Sequence, residues 1–234
     1  MKYMGSKSRV AKHILPIMLD DAEKHGITTW IEPFVGGGNM IDKVPDRMRR
    51  IGIDCNPHTI AAMLAIRDMV DNLPDDVSED EYRVLKGKPA DSISSWIRFV
   101  CSFGGKFEAG YARNKRGCNY ALESKRSALK QSPKIQTVEF VCASYKDYKP
   151  VNSLVYCDPP YQGTTGYKTG GVFNHEEFFE WCRQTAKNGN LVYVSEYNAP
   201  EDFELVWQGE VKTDFSIQRK SATHIAVEKL FKVV

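Results

Sequence analysis

The sequence predicts an α/β fold in which helices cover both faces of a mostly parallel sheet. Strand-like and helix-like segments alternate along the chain, a glycine loop follows the first strand, and the apolar run 154–157 ends in two prolines. Pro159 and Pro160 cannot continue a strand, so Asp158 stands at its carboxyl edge. In such sheets ligands bind beyond the carboxyl ends of the strands.

The first third of the chain is predicted to form helix, strand, loop, strand and helix. Apolar residues recur at helical spacing over residues 8–23, where Pro16 is expected to bend the helix. The stretch "TTWIEPFVGGGN" predicts a strand that breaks into a glycine loop. A second strand is predicted to end at Asp54, followed by a helix with Asn56 as its cap and Pro57 at its first position.

The middle of the chain differs in character from the segments around it. "LPDDVSEDEY" is acidic and is predicted as a loop, while "ADSISSWIRFVC" has the cap and apolar stripe of a helix. "SFGGKFEAGYARNKRGCNY" is rich in glycine, aromatic residues and cations, which predicts an exposed insertion. We therefore assign residues 68–135 to an inserted region, and residues 1–67 and 136–234 to the main domain.

The second half returns to alternating strands and helices. Strands are predicted in "TVEFVCASYKDY", "LVYCDPPY" and "NLVYVSEYNAP". "NHEEFFEWCRQTAKNG" predicts a helix that is capped by Asn174 and stops near Gly189. The tail "DFSIQRKSATHIAVEKLFKVV" has alternating stretches around a polar turn, which predicts a terminal hairpin.

Charge and cysteine content narrow the classes of protein that fit this chain. Residues 106–134 hold eight basic side chains and two acidic ones, although the net charge of the whole chain is only +2. This local basic block favours contact with a polyanion at one face, and an ordinary solvated surface is the alternative. The six cysteines form no C-x-x-C pair, which favours reduced core residues over a disulfide framework or a zinc site. Without an apolar leader or membrane-spanning window, we expect a cytoplasmic protein.

The glycine loop and the acid that follows it predict a ligand site. Missing side chains at residues 36–38 would let backbone amides approach a ligand, and Asp54 lies 18 residues after Gly36. An acid at this spacing can accept hydrogen bonds from ribose hydroxyls. The dinucleotide fingerprint would require glycine where Ile41 stands, which disfavours a nicotinamide enzyme. A tight turn and a helix cap are the alternatives for the loop and for Asp54, respectively.

The "DPPY" stretch predicts recognition of a planar amino group. Asp158 and the carbonyl of Pro159 can accept hydrogen bonds from such a group while Tyr161 stacks on the ring that carries it. The prolines would fix these acceptors before a substrate arrives. A proline-rich turn with a solvated aspartate is the alternative.

Four motifs in this order, "KYMGSK", "EPFVGGGN", "GIDCN" and "CDPPY", resemble the Dam-like (D12 class) DNA adenine N6-methyltransferase family. The resemblance implies a Rossmann-like S-adenosyl-L-methionine-dependent methyltransferase sheet with a small inserted DNA-recognition segment at residues 68–135. It also implies methyl transfer to the N6 amino group of a flipped adenine in double-stranded DNA. The implied catalytic residues are Asp158, Pro159, Pro160 and Tyr161. The implied cofactor-binding residues are Tyr3, Lys7, Phe34, Val35, Gly36, Gly37, Gly38, Asn39, Asp54, Cys55 and Asp158.

Other candidate positions are supported more weakly by the sequence. Ser144, Tyr145 and Asp147 lie where the family's third motif lines the cofactor's adenine, although an ordinary strand-end turn fits equally well. Glu196, Tyr197 and Asn198 could border the target-base pocket or simply turn the chain. His58 and His175 are interpreted as helix-start residues, because this chemistry needs no imidazole. Six residues of the basic segment are of types that bind phosphates or contact base edges: Lys106, Tyr111, Arg113, Asn114, Lys115 and Arg116.

Two other functions remain open at this stage. One is an amino-methyltransferase that acts on RNA, protein or a small molecule, and the other is a non-catalytic DNA-binding regulator. The sequence shows no nuclease-like constellation, which favours a stand-alone methyltransferase of phage or bacterial restriction-modification type over a fused restriction enzyme. We expect no metal, no membrane partner, and a monomer or weak dimer. The target DNA sequence is not defined by any motif.

Overall fold

The computed structural model describes residues 1–113, 117–162, 173–213 and 224–234. Contacts divide the chain into two compact units: unit 1 is Met1–Lys7 with Phe34–Tyr145, and unit 2 is Ser8–Pro33 with Lys146–Val234. The strands are β1 Thr29–Glu32, β2 Arg49–Asp54, β3 Val138–Cys142, β4 Leu154–Cys157, β5 Leu191–Ser195, β6 Phe203–Thr213 and β7 His224–Val233. The α-helices are α1 Ala11–Lys24, α2 Pro57–Asp68, α3 Glu79–Leu85, α4 Ser92–Val100, α5 Tyr120–Gln131 and α6 His175–Lys187. Short 3-10 helices occupy Lys7–Arg9, Ile41–Lys43, Val70–Asn72, Phe103–Gly105, Ser132–Lys134 and Tyr145–Asp147.

In unit 1, two parallel strands bring polar strand ends to one edge. β2 pairs with β3 in parallel, and Asp54 at the end of β2 lies opposite Cys142 at the end of β3. The next residues begin α2 as predicted: the Asn56 side chain accepts a hydrogen bond from the His58 amide, and Pro57 is the first helical residue. Proline fits this position because its missing N–H has no helical partner to lose.

An acidic stretch that was predicted as a loop contains helix α3. Ser78 forms a capping box with Glu81: its hydroxyl accepts from the Glu81 amide at 3.2 Å, and the Glu81 carboxylate accepts from the Ser78 amide at 2.7 Å. Tyr82 on this helix is buried, with its hydroxyl 2.6 Å from the Ser102 hydroxyl. The loop prediction holds for residues 73–78 but was wrong for residues 79–82, because the acids that suggested a solvated loop also favour the first turn of a helix.

The segment that was predicted to be an exposed insertion is partly buried. Ser102 is fully buried and its hydroxyl donates to the carbonyl of Arg98, one turn earlier in α4. The amide of Phe103 donates to the Gly110 carbonyl at 2.9 Å, and the amide of Ala112 donates to the Cys101 carbonyl at 2.8 Å. These hydrogen bonds fold the segment back on itself. The boundaries of the inserted region at residues 68–135 stay a prediction.

Unit 2 contains a mixed sheet with the strand order β1-β4-β5-β7-β6. The first two pairings are parallel, and those that involve β7 are antiparallel. Every residue of β4 is buried, as expected for a strand with neighbours on both sides. The predicted α/β class is confirmed, and the chain continues from the end of β4 directly into Asp158.

The ends of α6 and of the terminal hairpin can be compared with the ends that the sequence predicted. The Asn174 side chain accepts from the Glu177 amide at the start of α6, and Gly189 follows the helix with φ of +83°, both as predicted. A terminal hairpin is confirmed, and its first described strand, β6, already begins at Phe203, before the stretch that was predicted to start at residue 214. Residues 214–223, which hold the predicted first stretch, lie outside the described part of the chain. Within the described residues, no helix combines the length and the apolar character that a membrane crossing needs.

One buried asparagine ties three backbone segments of unit 2 together. Asn190 precedes β5 and is 6% exposed. Its amide nitrogen donates to the Pro150 carbonyl at 3.1 Å and to the Thr185 carbonyl at 2.8 Å, while its oxygen accepts from the Ser153 amide at 3.0 Å. All three bonds are shielded from water, so these backbone groups depend on this side chain.

We expect Asn190→Ala to lower the free energy of unfolding by about 2–5 kcal/mol, because it leaves three buried polar groups without their partner. Urea unfolding followed by circular dichroism measures this change. Asn188→Ala is the matched control, since Asn188 is exposed at the end of α6 and its removal should change the free energy by less than about 0.5 kcal/mol. Equal stability of the two variants would contradict the assigned network.

Candidate active site

The glycine loop of unit 1 has a backbone conformation and close neighbours that leave no room for side chains. Gly36 and Gly38 have φ of +48° and +65°, in the left-handed region that favours glycine. A Cβ at Gly36 would lie 2.9 Å from the Tyr3 ring, and a Cβ at Gly38 would lie 2.5 Å from the Met63 methyl group. The predicted residue Tyr3 therefore packs directly on the predicted loop.

Side chains form hydrogen bonds that hold the glycine loop in place. Gln131 at the end of α5 donates from its amide nitrogen to the carbonyls of Gly37 and Gly38, both at 3.0 Å. The Asn39 side chain donates to the Met1 carbonyl at 2.9 Å. Gln131 is buried, and no sequence motif indicated its role, because 93 residues separate it from Gly38.

Asp54 is joined to the glycine loop and to the start of α2. One carboxylate oxygen accepts from the Gly36 amide at 3.2 Å, and the other accepts from the Asn56 amide at 2.9 Å. Burial raises the pKa of Asp54 to about 6, although these two amides oppose the shift. An ionised carboxylate has about four lone-pair positions, so each oxygen can accept a further hydrogen bond.

The other predicted cofactor residues in unit 1 differ in exposure. Phe34 lies with its ring centroid 5.3 Å from that of Tyr145, which is buried. Lys7 is also buried, and its ammonium donates to the Gly5 carbonyl at 3.2 Å. Cys55 is exposed. Unit 1 thus brings together Tyr3, the loop from Phe34 to Asn39, and Asp54.

The "DPPY" turn of unit 2 lies at the end of β4 and has an anchored aromatic ring. Asp158 is half-buried and Pro159 is buried. The Tyr161 hydroxyl donates to the Glu228 carboxylate at 2.8 Å, and its ring meets the Tyr197 ring edge-on at 4.7 Å between centroids. Burial and the charges of Asp158 and Glu228 raise the pKa of Tyr161, so it remains a neutral phenol.

Two further residues of unit 2 contact the backbone of this turn. His175, interpreted from the sequence as a helix-start residue, is the first residue of α6, and its Nε2 lies 3.0 Å from the Pro160 carbonyl oxygen. Glu196, a weak sequence candidate, is fully buried and accepts from the amides of Gln162 and Tyr197. Burial raises the pKa of Glu196, while the two amides and His175 oppose the shift. The neighbouring Asn198 is exposed.

The predicted DNA-binding residues are only partly described. Lys106 is half-buried, the Tyr111 hydroxyl donates to the Val77 carbonyl at 2.6 Å, and exposed Arg113 pairs with Glu79. The predicted positions Asn114, Lys115 and Arg116 lie outside the described residues. The assignment of this set to DNA contact stays a prediction.

The remaining candidates are described by their exposure and by a few contacts. Ser144 is half-buried and Asp147 is exposed. His58 lies near the start of α2, where its Nδ1 is 3.0 Å from the Ser95 hydroxyl and its ring stacks on Phe107 at 4.6 Å. No group of three or more His, Cys, Asp or Glu side chains in the described ranges could hold a metal ion.

Comparison with known proteins identifies the family of this chain. The profile of the D12 class N6 adenine-specific DNA methyltransferases matches residues 3–88 and 101–226. Two curated relatives are type II methyltransferases: M.FokI of Planomicrobium okeanokoites is 22% identical over 211 residues, and M.MjaIII of Methanocaldococcus jannaschii is 23% identical over 200 residues. The aligned regions cover 78% and 69% of this chain, respectively, but the chain spans only 31% of M.FokI and 68% of M.MjaIII.

A solved structure with a similar backbone is the magnesium protoporphyrin IX methyltransferase of Synechocystis PCC 6803 with bound SAM. It is 9% identical, with a TM-score of 0.40 over 96% of this chain and 77% of that chain. The profile match extends over most of the sequence and confirms the resemblance that the four motifs indicated. This chain belongs to the D12 class N6 adenine-specific DNA methyltransferase family.

Proposed function

We propose that this chain transfers a methyl group from S-adenosyl-L-methionine to the N6 amino group of an adenine in double-stranded DNA. The observation that carries the proposal is the "DPPY" turn at the end of buried β4. In this turn Tyr161, whose hydroxyl is bound by Glu228, follows Asp158 by three residues. Family membership supports the same chemistry. An adenine in a duplex must leave the base stack before such a site can hold it.

The residues of unit 1 fit a cofactor that contains adenosine. The left-handed glycines leave no room for side chains, and the Asp54 carboxylate retains lone pairs for two ribose hydroxyls. Tyr3 and the loop from Phe34 to Asn39 would hold the cofactor, and Lys7 is a further proposed contact. The cofactor supplies an electrophilic methyl group on a sulfonium centre.

The residues of unit 2 fit an acceptor amino group on a planar ring. Asp158 and the Pro159 carbonyl would accept the two amino hydrogens, which orients the nitrogen lone pair. Tyr161 would stack on the base, and it does so as a neutral phenol whose position is fixed before the base arrives. Positioning of this kind can contribute about 7–11 kcal/mol to the lowering of a reaction barrier.

The basic segment would bind the phosphate backbone on either side of the target base. Arg126 and Lys130 are exposed on α5, and Arg113 is exposed before the start of that helix. Contacts of this type set affinity and salt dependence, whereas sequence is read from base edges.

The function is tested by incubating the protein with labelled S-adenosyl-L-methionine and unmethylated genomic DNA, total RNA, or a protein lysate in separate reactions. We expect label only in DNA, and nucleoside analysis should identify it as N6-methyladenine. Label in RNA or protein would replace the DNA proposal, and cofactor binding without any transfer would favour a DNA-binding regulator. Modification-sensitive sequencing of the product gives the target motif.

Removal of the motif carboxylate should abolish turnover while much of the DNA binding remains. We expect Asp158→Ala to lower kcat by about a hundredfold or more, because the amino group loses an oriented acceptor. Label transfer measures turnover and a filter-binding assay measures DNA affinity. Asp20→Ala, which changes an exposed aspartate on α1, is the control and should keep full activity. Normal turnover of Asp158→Ala would exclude this carboxylate from the reaction.

Cofactor affinity should depend on the ionisation of Asp54. Asp54→Asn should weaken binding by about tenfold to a hundredfold, since hydrogen bonds to a charged acceptor are lost. In the wild type, the free carboxyl takes up a proton as the pH falls through about 6, so affinity should fall in this range. Calorimetric titration at a series of pH values measures both effects.

The Asp54→Asn variant should lack this pH dependence, and exposed Asp71→Asn should behave like the wild type. Thermal unfolding of each variant shows whether the loop fold is retained. An unchanged affinity and pH profile for Asp54→Asn would remove this residue from the cofactor site.

A further inference from the structure

We propose that His175 and Glu196 are positioning residues that hold Tyr161 ready for the target base. This inference rests on the proposed function and concerns the backbone of the "DPPY" turn rather than its reacting groups. Both residues lie in unit 2, on different elements: His175 begins α6, and Glu196 directly follows β5. Their contacts converge on the two peptide groups that flank Tyr161.

His175 fixes the peptide group before Tyr161. Its Nε2 lies 3.0 Å from the Pro160 carbonyl oxygen, and this carbonyl can only accept, so Nε2 must carry a proton. The imidazole ring meets the Phe173 ring edge-on at 5.0 Å between centroids. Only 18% of the side chain is exposed, which limits competition from water for the Pro160 carbonyl.

Glu196 fixes the peptide group after Tyr161. One carboxylate oxygen accepts from the Gln162 amide at 3.1 Å, and the other accepts from the Tyr197 amide at 2.7 Å. The oxygen that holds Gln162 also lies 3.7 Å from His175 Nε2, so the two positioning residues meet each other. A single carboxylate thus holds the backbone at Gln162 and at Tyr197, whose ring packs edge-on against Tyr161.

The combined contacts leave Tyr161 little rotational freedom. The Pro160 carbonyl and the Gln162 amide define the planes of the peptide groups on its two sides. Tyr197 and Glu228 restrain the ring and the hydroxyl. A ring that is held in this way loses little entropy when a base stacks on it, which is how preorganisation assists binding and reaction.

The burial of Glu196 indicates that it has a role beyond packing. A carboxylate without solvent exposure is costly unless hydrogen bonds compensate for its desolvation, and an apolar residue would fill the same space at lower cost. Both of its oxygens are used at the motif and at the neighbouring aromatic residue. The stabilisation that this charge provides is therefore directed at the geometry of Tyr161 and Tyr197.

Paired substitutions at His175 separate positioning from simple packing. His175→Phe keeps a ring and removes the donor, so kcat for DNA methylation should fall by about tenfold to a hundredfold. His175→Gln can restore a donor near the Nε2 position, so it should retain kcat within about threefold of the wild type. The KM for S-adenosyl-L-methionine should stay unchanged in both variants.

Substitution of Glu196 tests the second half of the pair. Glu196→Gln has the same shape, but its NH2 group would face one of the two amides, so kcat should also fall by about tenfold to a hundredfold. Glu180→Gln, on the exposed face of α6, is the matched control and should leave kcat unchanged. Cofactor affinity and thermal unfolding confirm that each variant is folded.

Amide hydrogen exchange provides a measurement that does not require turnover. In the wild type the Gln162 and Tyr197 amides should be protected, and Glu196→Gln should increase the exchange of the amide that faces its NH2 group by about tenfold or more. Glu180→Gln should leave this exchange unchanged. If Glu196→Gln does not fold, the comparison of His175→Phe with His175→Gln still decides the question.

Wild-type kcat in His175→Phe, or unchanged exchange in folded Glu196→Gln, would overturn the positioning role. A KM for S-adenosyl-L-methionine that rises while kcat stays constant would also overturn it, because the effect would then lie at the cofactor. If the wild type itself transfers no methyl group to DNA, the proposed function fails. The exchange measurement would then still show whether Glu196 holds the turn.

Discussion

The abrupt end of strand β4 is the constraint on which the proposed binding site for the target base depends. Leu154–Cys157 is buried between β1 and β5, and the peptide nitrogens that follow that of Asp158 belong to Pro159 and Pro160. Because proline has no N–H, the chain must leave the sheet there. Asp158 is thereby placed at the sheet edge, with Tyr161 close behind it.

Buried polar side chains hold the loops of both units in place. Gln131 donates to two carbonyls of the glycine loop, and Asp54 accepts from one amide of that loop and from the Asn56 amide. Glu196 accepts from the amide that follows the "DPPY" turn and from the Tyr197 amide after β5. Burial of the two carboxylates is unfavourable and raises their pKa values, and the backbone amides offset part of that cost. The result is rigid loop backbone without regular secondary structure, which suits sites that must be preorganised.

Local chemistry was sufficient for the features that depend on a few adjacent residues. Asn56 and Asn174 were assigned as helix caps because their side chains can reach amides two or three residues onward. Asp54 and Asp158 were placed at strand ends from the apolar runs before them and the turn residues after them. The order of four motifs identified the family, since each motif can be read without knowledge of the fold. The acidic run before α3 misled the prediction because the same residues suit a loop and a helix start.

Contacts between distant parts of the chain were decided only by the tertiary structure. Gln131 reaches Gly38 across 93 residues, and no sequence motif indicated its role. Glu196 was a candidate for the edge of the base pocket, but its contact with the Gln162 amide, 34 residues away in the chain, was not predicted. The first strand of the hairpin begins at Phe203, and its hydrogen bonds to β7 define this strand, since its residue pattern did not predict it. The sequence by itself determined the family, the helix caps and the ends of the strands on which the proposed site residues lie. The fold decided which polar side chains support those residues, because hydrogen-bond partners depend on distance in space and not along the chain.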